Sequence, residues 1–119
     1  MSASVNKVVV IGTLGANPEV RRFQSGGKVV NLRVATLGER SGAGGSIREH
    51  TEWHRIAVFD DRLAEFAERE LVKGCEIYVE GKLERRTWMT RDGQERSSTE
   101  IAIRKFKGDL QMLATAAAG

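Results

Sequence analysis

Aromatic residues make up only 6% of this 119-residue chain, and three of them stand among cations. Counted in steps of two along extended backbone, Trp53 shares a face with Arg55 and Phe59, and Trp88 shares one with Arg86 and Lys82. Flat rings interleaved with cations make a poor core and a good seat for unstacked bases. Each ring stacks on a base for roughly 1–3 kcal/mol, and each cation that neutralises a phosphate releases counterions. The same residues also fit a second arrangement, in which the tryptophans pack inside and the arginines run past them to solvent.

No other set of side chains assembles into a reaction centre. His50 and His54 are four apart, but in extended chain that separation is about 13 Å, too far to share a metal ion, so a structural histidine is the reading. Cys75 has no second cysteine to pair with and reads as a small buried hydrophobe. Asp60 and Asp61 precede an apolar periodic segment and read as helix caps rather than a catalytic carboxylate pair. The glycines between Gly38 and His50 match neither phosphate-binding spacing, so this segment reads as a flexible loop. Binding without catalysis, metal or cofactor is the expectation.

Charge is distributed in a way that suits that expectation. The formal net charge is +3. Between Asp60 and Glu70 there are five acids and two bases, whereas between Lys82 and Lys107 there are eight bases and four acids. Such segregation leaves one region suited to a polyanion and another turned away from it. No apolar run approaches the ~20 residues needed to span a bilayer, and nothing resembles a signal peptide, so a cytoplasmic location is expected.

The elements that would position these residues are mostly strands. Val5–Leu14 is rich in β-branched residues and runs into the turn signals Gly15 and Asn17-Pro18; Glu19–Phe23 forms a short continuation; Gly26-Gly27 turns into the alternating Val30, Leu32 and Val34. Thr51–Phe59 alternates again. One helix is expected over about Asp61–Lys73, with Leu63, Phe66, Ala67 and Leu71 on one face and Gly74 as its stop. A long strand over Cys75–Met89 carries Ile77, Val79 and Leu83 on one side, with Gly81 as a bulge or bend. Arg91-Asp92-Gly93 turns into a return strand, Glu95–Phe106. Together these predict a mainly β chain, a small barrel closed by a single helix.

Val5-Asn6-Lys7-Val8, Gly12-Thr13-Leu14-Gly15, Asn17-Pro18-Glu19-Val20-Arg21, Thr51-Glu52-Trp53-His54-Arg55, Tyr78-Val79-Glu80-Gly81-Lys82-Leu83, Trp88 and Leu110-Gln111-Met112-Leu113 stand in a recognisable order. In this order the chain resembles bacterial single-stranded DNA-binding proteins from Val5 to Leu113. The resemblance implies a five-stranded OB-fold Greek-key barrel with one α-helix and extended β-hairpins, over residues 1–113, with 114–119 a short disordered remnant. It implies sequence-independent binding and protection of single-stranded DNA in replication, recombination and repair by a nucleoid-associated homotetramer.

Residue by residue, the resemblance places Trp53, Phe59 and Trp88 on base-stacking positions, and Arg55, Lys73 and Arg86 on or beside backbone-contacting ones. Arg33 and Arg40 join the DNA-contacting set, Arg40 because Leu37-Gly38-Glu39-Arg40 stands where many members have another tryptophan. His54 falls at a subunit interface. The sequence shows no acidic, Phe-ended tail, so recruitment of replication and repair partners through one is not expected. The competing expectation is an OB-fold adaptor or assembly protein acting mainly through protein–protein contacts.

Overall fold

The computed structural model describes residues 3–116 and contains seven strands and one helix. The strands are β1 (Val8–Leu14), β2 (Glu19–Arg22), β3 (Lys28–Ser41), β4 (Ile47–Val58), β5 (Glu76–Met89), β6 (Glu95–Ile103) and β7 (Asp109–Ala114); the helix is α1 (Asp61–Glu70). Pairing runs β1-β3-β4-β6-β5, and β5 returns to β1, which closes a five-stranded barrel with β2 on the edge of β3 and β7 on the edge of β5. This is the OB-fold order expected from the resemblance. All these pairs are antiparallel except β4–β6, whose parallel ladder is only Ile56↔Ile101 to Val58↔Ile103.

Alternation fills the barrel. Val30, Leu32 and Val34 of β3, Ile56 and Val58 of β4, and Ile77 and Val79 of β5 all point inward and are fully buried. Leu63, Ala64 and Ala67 cap this core from α1, while Cys75 is buried as a small hydrophobe with its Sγ 3.8 Å from Met112 Sδ.

Gly81 explains how one long strand serves two walls. Up to Gly81, β5 pairs with β1, and from Lys82 it pairs with β6. A Cβ there would lie 2.5 Å from the Ala102 carbonyl oxygen, so the partner switch needs a residue without one. The register runs on without a bulge there, and Leu83, two residues further on beside buried Ile101, is 49% exposed rather than in the core where the alternation had placed it.

Several expected boundaries move. The segment Gly38–His50, expected as a loop, is instead the end of a hairpin: β3 and β4 continue to Ser41↔Ile47 around a single 3-10 turn at Ala43–Gly45. Backbone ladder bonds hold it with no buried face. The helix stops at Glu70 rather than Lys73: Leu71 N–H still bonds the Ala67 carbonyl, but its own backbone is extended (ψ 137°), and the N–H groups of Lys73 and Gly74 are taken elsewhere. Lys73 N–H donates to Asn17 Oδ1 (2.8 Å) and Gly74 N–H to the Leu14 carbonyl (2.8 Å). β1 begins at Val8, β6 ends at Ile103, and β7, unforeseen as a strand, pairs with β5 through Ala114. β7 thus reaches the first residue of the expected remnant, and 117–119 lie outside the described residues.

Candidate nucleic-acid interface

Because paired residues point to the same side of a sheet, the registers define one outer face. Arg21 stands beside Val29, Asn31 beside Ala57, Arg33 beside Arg55, and Ala35 beside Trp53. Across the parallel seam, Ala57 stands beside Ala102, and Glu84 beside Glu100. The face therefore runs unbroken over β2, β3, β4, β6 and β5, on the side of the sheet opposite the core.

Two adjoining hollows lie along it. One, of about 430 Å³, is lined by Arg21, Arg33, Arg55 and Arg86 with Glu19 and Glu100. The other, of about 320 Å³, shares Arg21 and Arg86 and adds Phe23, Phe59, Glu84 and Arg104. Among the described residues, Arg21, Arg33, Arg55 and Arg86 form no ion pair with a carboxylate. The cations facing the helix differ: Arg22 bonds Glu68 at 2.6 Å, and Lys28 bonds Glu65 at 2.8 Å and Glu68 at 2.5 Å. Those bonds raise the Lys28 pKa and lower that of Glu65. The acids of α1 are thus paired with their own neighbours, and Arg21, Arg33, Arg55 and Arg86 keep their guanidinium groups free.

Rings flank the groove at both ends. Trp53 is 51% exposed, and the Arg33 guanidinium lies 5.0 Å from its ring centroid. The other edge of the indole rests on Gly15, where a Cβ would come within 2.3 Å of the ring. Phe59, just past the end of β4, is covered by Arg104 at 4.0 Å. Glu84 grips that guanidinium through both oxygens, at 2.9 and 2.6 Å, and the pairing depresses the Glu84 carboxyl while raising Arg104.

The structure therefore brings Arg33, Trp53, Arg55, Phe59 and Arg86 onto one track. It does not bring all the expected residues there. Trp88, 42% exposed, stands on the β5–β6 hairpin opposite Arg96. Arg40 lies on the β3–β4 arm, bonded to His50 at 3.1 Å and 4.0 Å from Glu52. Lys73 sits in the turn after α1, tied by its backbone to Asn17 beside the Gly15 that supports Trp53. His54 points to the opposite face from Trp53, with Nε2 2.9 Å from Thr36 Oγ1.

Arg21, Phe23 and Arg104 belong to the groove although the sequence reading did not single them out. Extending the β2–β3 alternation would have placed Arg21 on the same outer face as Arg33. Phe23 and Arg104 lie beyond the ends of β2 and β6, where alternation carries no information.

No three His, Cys, Asp or Glu side chains among the described residues cluster to hold a metal ion, and no helix among them is long and apolar enough to cross a membrane. A closed barrel with an external, arginine-lined and ring-flanked sheet face defines a small binding domain of the OB class. The chain belongs to the single-strand binding protein family, whose model matches residues 5–112. It is 44% identical over 114 residues to a single-stranded DNA-binding protein of Rhizobium meliloti; the match covers 95% of this chain and 66% of that protein. It is similar to a chain described as Plasmodium falciparum SSB in complex with ssDNA, with TM-score 0.88, 33% identity and coverage of 95% and 98%. A single-stranded DNA-binding protein from Thermus aquaticus matches with TM-score 0.75 and 30% identity over 92% of this chain and 50% of that one.

Proposed function

We propose that the protein binds single-stranded DNA without regard to sequence and protects it during replication, recombination and repair, by binding alone and without catalysis. The observation that carries this reading is the row of guanidinium groups without ion-pair partners, Arg21, Arg33, Arg55 and Arg86, laid between the Trp53 and Phe59 rings. Cations at that spacing hold phosphates while rings accept bases, and stacking tolerates every base. Trp88, Arg40 and Lys73 extend the path onto the two hairpin arms and the turn after α1.

The unit that wraps the strand is a homotetramer in the cytoplasm, associated with the nucleoid. Support comes from β1, whose Val9 and Ile11 are half-exposed on the outer wall of the barrel; in this reading His54 belongs to the contact between subunits. Light scattering on the purified protein reads the subunit number directly.

The deciding experiment is titration of oligo-dT against tryptophan fluorescence at low and high salt with duplex competitor. The expected result is strong quenching that persists with duplex present and weakens with salt. Trp53→Ala should cost about 1–3 kcal/mol of binding free energy. Unchanged binding by that variant removes the stacking role.

A further inference from the structure

Among the described residues Phe106 alone, glycines aside, has a positive φ, 61°. Crowding at Cβ makes that backbone costly for an aromatic residue, and such outliers persist only where surroundings impose them. Here Asp60 imposes it. This buried carboxylate accepts Phe106 N–H on Oδ2 at 3.0 Å, while its Oδ1 accepts Leu63 N–H at 3.0 Å and caps α1. Lys107 N–H closes the turn on the Arg104 carbonyl at 3.0 Å. The product of this bracing is a phenyl ring left 93% exposed.

We propose that Phe106 is an additional base-stacking station, extending the single-strand track past Phe59 over the β6–β7 turn. A hollow of about 580 Å³ leads toward it: it shares Phe23, Phe59 and Arg104 with the groove and continues past Asp61 and Lys82 to Lys105 and Lys107, the chain neighbours of Phe106. The residues flanking Phe106 are Arg104, Lys105 and Lys107, and Lys107 has no carboxylate partner among the described residues. An exposed ring between two lysines that line a hollow adjoining the groove fits a polyanion with flat apolar groups better than an apolar protein surface. The inference rests on the single-stranded DNA reading above.

Two variants test it in the full chain. Phe106→Gly relieves the backbone while removing the ring, so it should fold at least as stably as the parent. It should bind oligo-dT about 5- to 10-fold more weakly at unchanged elution volume. Phe106→Trp in a Trp53→Phe, Trp88→Phe background makes position 106 the sole indole, and its emission should be quenched by oligo-dT. Unchanged affinity with no quenching overturns the station. So does loss of the oligomer in Phe106→Gly, which would assign the ring to a subunit contact. Failure of the parent protein to bind oligo-dT instead overturns the single-strand reading itself.

Discussion

The Arg104 guanidinium lies 4.0 Å from the centroid of the Phe59 ring, covering one of its faces. Both Glu84 oxygens hold it there. A base reaching this end of the groove meets the outer plane of the guanidinium, itself a stacking surface with a positive charge. Arg104→Ala should therefore weaken oligo-dT binding at low salt even though it bares Phe59. Because Glu84 already engages that guanidinium, the salt slope should stay close to the parent's and the loss should come from the missing stacking surface; titrations at several salt concentrations check this.

Gly15→Ala should disturb Trp53 without touching DNA itself. The added Cβ would meet the indole at 2.3 Å, and the ring must swing away. Loss of affinity smaller than in Trp53→Ala, together with a shifted tryptophan emission maximum, is the expected pair of results.

Lys73 and Lys28 should separate cleanly. Lys73→Ala is expected to lower the salt slope by roughly 0.7. Lys28 is engaged by Glu65 and Glu68, so Lys28→Ala should leave the slope unchanged while lowering the melting temperature.

Acid should weaken the fold partly through Asp60. Its pKa is held below the ordinary 3.8, chiefly by the Phe106 N–H and then by that of Leu63. A depressed carboxyl contributes stability above its unfolded pKa and loses it as pH falls through the folded one. Asp60→Asn keeps an oxygen for one N–H but sets an amide nitrogen against the other, costing about 1–2 kcal/mol near neutral pH. Urea midpoints should show that difference shrinking below pH 4.

The alternation of Val30, Leu32 and Val34, the cap at Asp60 and the turn at Gly26 were legible because each leaves a local mark. So were Trp53, Arg55 and Phe59, whose two-residue spacing places them on one face, while the OB order itself came from the resemblance. The Gly38–His50 arm was not legible, since both its faces are solvated and its registered pairs, such as Glu39↔Glu49 and Arg40↔Arg48, set like charges opposite each other. Nor was the seat of Arg104 over Phe59, which depends on the chain leaving β6 after Ile103 and turning beneath Asp60. Hydrophobic period reports burial, and neither feature is buried.

The route by which the barrel closes bears on how the chain comes off the ribosome. β3 and β4 share twelve registered pairs and can zip together as soon as both exist, whereas Val8 finds its partner only when Gly81 has been made. Until then β1 holds β3 at two positions, Thr13↔Ala35 and Leu14↔Val34. Such distant pairing is slow to form and leaves strand edges open meanwhile. Since β5 and β6 complete the walls that carry Arg86 and Glu84, a nascent chain stopped before them has its tryptophan at position 53 but no channel for a polymer, and the capacity to bind arrives in one late step rather than by degrees.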